Sequence, residues 1–186
     1  MSKQKSIILE GTERTGKTNI ASALSKRTGI PIFKAQVQKK FFMGDRSQFL
    51  PFLRFGETTL ADFLEQTGTS VILDRNWPSE IVYSEYFNRP TDVNVTRMLD
   101  EAYARMGALI VVCTRLKGYA GRVDEDDPSI KEEQITAIDW LYKKRIPNVK
   151  TSHVFLDTSD EDLDRELNEI ETAMINPVLA SFHKKL

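Results

Sequence analysis

Cysteine and histidine are almost missing from this chain of 186 residues, which has one Cys and two His. The lone Cys113 can close no disulfide within the chain, and His153 and His183 stand apart from any partner motif, so no Cys/His metal cluster is on offer. Placed inside an apolar run, Cys113 reads as a small core residue of a reducing compartment. An excess of either charge is missing too. The 26 Lys and Arg residues face 27 Asp and Glu, a net charge of −1, so no overall positive field advertises a nucleic acid or a membrane. A local patch for a short single strand is not excluded by that balance. There is no apolar run long enough for a signal peptide or a membrane span, which points to the cytoplasm. With no internal repeat, low-complexity tract or linker either, the length predicts one domain over residues 1–186.

What is present is an alternation. Apolar strand-like runs at 5–10, 31–35, 70–74, 108–114 and 152–157 are separated by stretches with helical patterning. That order predicts an α/β domain with a five-stranded parallel sheet between two helical layers. The expected helices are 17–27, a segment over 45–66 broken at Pro51 and Gly56, 78–88, 91–106, one from Ser129 to Lys144, and a last one reaching Ile175. Ser129 followed by Glu132 resembles a capping box, and Met98, Leu99, Ala102 and Met106 form a stripe expected to face the core.

The first strand runs into Gly11-Thr-Glu-Arg-Thr-Gly16-Lys17-Thr18 and then a helix, which is a P-loop in its required context. Gly11 and Gly16 let the backbone approach a triphosphate, and the N–H groups of residues 13–18, Glu13 and Thr15 among them, can turn towards it at a helix start. Lys17 is suited to the β- and γ-phosphates and the Thr18 hydroxyl to Mg²⁺. Asp74 and Arg75 end a strand with the pattern of one covered on both faces, so they emerge at the carboxyl edge of the sheet, where ligands of such sheets bind. Arg115 is delivered to the same edge, and residues 116–130, with the acids Asp124 to Asp127, form a polar segment expected to act as a lid from which Arg122 or Arg115 closes.

On Glu10 to Thr18 and the Asp74-Arg75 pair, the chain resembles the thymidylate kinase family of P-loop nucleotide kinases, in the branch with an arginine inside the loop. The resemblance spans nearly the whole chain and implies a three-layer α/β/α kinase fold with a short lid. It implies that Arg14 contacts the phosphoryl group in flight and that Glu13 lies near the sugar 3′-hydroxyl of the acceptor. By the same resemblance Asp74 and Arg75 organise Mg²⁺ and hold the acceptor phosphate, Ser79 and Tyr83 follow in the family's positions, and Arg54 addresses the acceptor base. Two departures concern the acceptor. The stretch after the second strand reads Phe33-Lys-Ala-Gln-Val-Gln-Lys39-Lys40 in place of the family's phosphate clamp, and Leu50 stands where a stacking phenylalanine is usual.

These features lead to an expected ATP- and Mg²⁺-dependent transfer of phosphate to a deoxynucleoside monophosphate. A kinase of a deoxynucleoside, or of a modified-base hydroxyl in DNA, stays open on the same scaffold, as does a nucleotide sensor that transfers nothing. Nucleic acid is a partner only under the DNA reading. Asp74 is either a general base or a Mg²⁺ partner, Glu10 orients Lys17 or an acceptor hydroxyl, and Phe42, Phe49, Phe52, Phe55 and Trp77 are the aromatic supply for stacking a base. A homodimer is left open.

Overall fold

The computed structural model describes residues 5–34, 46–119 and 131–176. Five parallel strands, β1 (Ile7–Gly11), β2 (Ile32–Lys34), β3 (Ile72–Asp74), β4 (Leu109–Thr114) and β5 (Ser152–Asp157), lie in the order β2-β3-β1-β4-β5. The helices are α1 (Lys17–Thr28), α2 (Arg46–Thr67), α3 (Trp77–Tyr86), α4 (Val93–Arg105), α5 (Glu132–Arg145) and α6 (Leu163–Ile175). The expected α/β class, strand count and parallel sheet are all found. Among the described residues no helix is long and apolar enough to cross a membrane.

Alternation along the strands sorts the core into two layers. Ile8, Leu73, Ile110 and Val112 pack under α2, α3, α4 and α5, while Ile7, Leu9, Ile72, Val111 and Cys113 pack under α1 and α6. Both faces of the central strands are therefore apolar, as crossover connections require. β1 sits in the middle, with Leu9 opposite Asp74 on one side and Val111 on the other. The loop that follows β1 thus opens at the carboxyl edge, flanked by the ends of β3 and β4, where the strand order reverses.

Several boundaries differ from the sequence reading. α2 is one helix of 22 residues through Pro51 and Gly56. A single lost hydrogen bond at Pro51 and the modest propensity cost of Gly56 are outweighed by the burial of Ala61 and Leu64 further along. α5 begins at Glu132, where the Gln134 side chain accepts from the Lys131 N–H at 2.9 Å, and Ser129 lies outside the described residues. On α4 the buried positions are Thr96, Leu99, Asp100, Ala102 and Tyr103, whereas Met98 is exposed. The core face is one residue round from the expected stripe.

Candidate active site

The turn between β1 and α1 is shaped by conformations that few residues adopt. Gly16 is the N-cap of α1 with φ 76°, and no side chain caps the helix. The first N–H groups of a helix have no intrahelical acceptor, so this end is open to an anion. Arg14 also has a left-handed backbone, φ 63°. At Gly11, φ is 120° and a Cβ would stand 2.2 Å from the carbonyl oxygen of Cys113. The glycine is demanded there by the neighbouring strand, a reason beyond the approach to phosphate that its place in the motif suggests.

Lys17 is buried, and its ammonium donates to the Thr12 carbonyl and, at 3.1 Å, to the Thr15 hydroxyl. Burial, and then the positive charge of Arg75, lower its proton affinity to about 8, against the pull of Cys113, Glu13 and Asp74. Thr18 follows on the exposed side of the first turn. Asp74 lies at the end of the adjoining strand, buried, with the Lys34 ammonium 3.3 Å from its carboxylate.

A second cluster joins the loop to α3 and α5. Glu10 is fully buried and accepts from the Asn76 N–H at 2.8 Å, the Ser79 hydroxyl at 2.6 Å and the Tyr142 hydroxyl at 2.9 Å. Burial raises its carboxyl above the ordinary range, opposed by Arg75 and these donors. Arg75, in a left-handed conformation at φ 67°, donates to Glu13 at 3.0 Å and reaches Ser79 at 3.5 Å and Tyr142 at 3.4 Å. Its guanidinium also lies 5.2 Å from the centre of the Tyr83 ring, whose hydroxyl donates to Glu13 at 2.9 Å. Glu13, Arg75, Ser79 and Tyr83 are thus brought together. Tyr142 completes the cluster and was missed in the sequence, where it continues the buried stripe of Ile135 and Ile138. Its phenol, which needs a partner when buried, was the available signal.

Other expected residues stand elsewhere. Arg54 on α2 pairs with Asp92 at 2.9 Å, and Asp92 also caps α4. Arg115 does not serve a lid: it is buried and donates to the carbonyls of Thr158 at 2.9 Å and Ser159 at 3.0 Å, fastening the turn after β5. Glu10 makes its bonds to α3 and α5 rather than to Lys17. Trp77 is core, and Phe55 is exposed. Arg122, Lys39, Lys40, Phe42, the Asp124 to Asp127 acids and His183 lie outside the described residues, as do the side chains of Leu50, Phe49 and Phe52.

A profile described as "AAA domain" matches residues 6–159. No curated protein matches the chain. Among solved structures it is similar to the YorR protein of Bacillus subtilis, in complex with phosphorylated GDP, at 21% identity over 97% of this chain and 99% of that one, with a TM-score of 0.65. It is similar to thymidylate kinase from Candida albicans at 20% identity, covering 94% of this chain and 92% of that one, with a TM-score of 0.61. Deoxyadenosine kinase from M. mycoides with bound dATP matches at 17% identity, covering 92% and 100%, with a TM-score of 0.53. The fold is that of the P-loop nucleotide and nucleoside kinases.

Proposed function

The chain belongs to the AAA domain family, and from that premise and the geometry of its loop we propose that it transfers the γ-phosphoryl of ATP to a deoxynucleoside monophosphate. The observation that carries this is the placement of Arg75, which touches both the P-loop, through Glu13, and the α3 cluster of Ser79 and Tyr83. A guanidinium there can turn its two-pronged donor face to an acceptor phosphate while that phosphate faces the P-loop. An acceptor phosphate oxygen then bonds to the γ-phosphorus as the bond to the β-phosphate oxygen breaks, with ADP leaving.

In this reading the open N-terminus of α1 and Lys17 bind the β- and γ-phosphates, with the backbone of Gly11, Glu13, Thr15 and Gly16 forming the cradle. Arg14 acts on the moving phosphoryl, and Arg122 closes over the donor. The Thr18 hydroxyl and the Asp74 carboxylate, oxygen ligands beside the loop, are the groups that would hold Mg²⁺. When bound, the ion supplies neutralising charge at the phosphates. The similar thymidylate kinase supports the monophosphate acceptor, and the similar deoxyadenosine kinase, named for a nucleoside, supports only its deoxynucleoside part.

A second reading, transfer to a nucleoside hydroxyl or to a hydroxyl on a modified base in DNA, is favoured by one observation. Glu10 is a buried carboxyl of raised proton affinity beside Ser79, and a hydroxyl acceptor uses such a base. Labelled ATP offered with deoxynucleosides, their monophosphates and oligonucleotides separates the two. Transfer to a monophosphate, with a strongly raised KM in Arg75→Lys, is the expected result. Efficient labelling of a nucleoside or DNA hydroxyl with monophosphates ignored overturns it.

A further inference from the structure

The inward face of α2 carries an acid that the phosphate chemistry does not use. Ala61 and Leu64 are buried in the layer that holds Trp77 and Tyr103, and Glu57 lies on the same helical face one turn earlier. The C-terminal end of α2 leads into β3 at the amino edge of the sheet, and Glu57, in the middle of the helix and roughly 15 Å from that end, stands near the level of the carboxyl edge, the edge of Asp74, Arg75 and the P-loop. Glu57 is half-buried, and its carboxyl has no hydrogen-bond or ion-pair partner among the described residues. Tyr103 on α4 is fully buried within range of the Glu57 charge, and its hydroxyl has no partner either. A half-buried acid without a protein partner keeps its donor and acceptor capacity for a ligand, and the unpartnered phenol beside it offers no competing bond.

We propose that Glu57 reads the base of the acceptor, its carboxyl pairing with an edge that sets one N–H or C=O group beside one ring nitrogen. The proposal rests on the kinase reading and names the specificity residue of that same site. The titratable groups within electrostatic range of Glu57 are Glu10 from β1, Glu80 from α3 and Tyr103 from α4, while Arg54, one turn away on α2, is engaged by Asp92 at the start of α4. Burial first, and then Glu10 and Glu80, push the Glu57 carboxyl up to about 8. At neutral pH it is an acid with one donor and one acceptor, the complement of such an edge. Ionised, it would offer acceptors only and lose the match to every such mixed edge, keeping a complement only in the adjacent N1–H and N2–H groups of guanine.

The test is calorimetric binding of the four deoxynucleoside monophosphates, without ATP, to the native protein, Glu57→Gln and Glu57→Leu. The preferred monophosphate should bind Glu57→Leu about tenfold more weakly, and Glu57→Gln within about threefold of native, because a primary amide also presents one donor and one acceptor. Native affinity should fall above about pH 8 as the acid ionises, while that of Glu57→Gln stays level. In turnover the Glu57→Leu loss should fall on the acceptor KM and leave the KM for ATP unchanged. Melting temperatures check the fold, which removal of an unpaired acid should not weaken. Unchanged binding in Glu57→Leu, or an equal loss in Glu57→Gln, overturns the proposal while the kinase reading stands. Failure of the native protein to bind any monophosphate overturns both.

Discussion

Lys17 reaches inward in the loop, held by Thr12 and Thr15, with its proton affinity lowered to about 8. Phosphates arriving beside it favour the charged form, so binding should raise that affinity again. At about pH 9, one unit above that value, the free lysine is mostly neutral, and ATP binding should take up as much as roughly 0.9 proton. Calorimetry in buffers of different ionisation heat measures this, and Lys17→Met should abolish the uptake. Arg14→Ala should lower kcat about a hundredfold or more with a modest change in ATP affinity, read from steady-state rates and nucleotide binding. Gly11→Ala belongs to another class. Its Cβ would strike a backbone oxygen, which cannot swing away, so the loss should appear as roughly 3 kcal/mol of stability in denaturant melts. At this scale motifs in the sequence single out Lys17 and Arg75, and the structure brings both to the loop after β1. Residues whose surroundings come from other helices, such as Tyr142 and Glu57, were hidden, because a stripe position looks the same in the sequence whatever it meets.

Among the elements, the strands and most helices were legible because crossover connections force apolar runs of distinct length. α2 was not. Pro51 and Gly56 are strong local breakers, yet the helix passes through both, since its inward face is held by Ala61 and Leu64. Gly56 keeps an ordinary backbone, and a Cβ there meets nothing within 4 Å. Gly56→Ala should therefore stabilise the protein by roughly 0.5–1 kcal/mol, seen as a higher melting temperature, with acceptor binding unchanged. A fall in stability would show that the helix needs the flexibility its sequence advertises. The tie of Arg115 to the turn after β5 is a contact between segments more than 40 residues apart, which no local pattern announces.

For the whole molecule, the governing feature is the central place of the strand that comes first in the chain. β1 has β3 on one side and β4 on the other, so its backbone finds no ladder partner until Ile72 and Leu109 exist. A chain emerging from the ribosome at roughly 5–20 residues per second would carry its nucleotide loop unsupported for roughly 5–20 seconds before β4 follows. During that interval Ile7, Ile8 and Leu9, which end up shielded on both faces, are open to other chains and to chaperones. Stalled nascent chains that stop after Asp74 should retain no ATP, whereas chains that expose β4 and β5 beyond the exit tunnel should, and photocrosslinking of an ATP analogue would time the change. The loop readable in the first twenty residues is thus among the last parts of the protein to begin working.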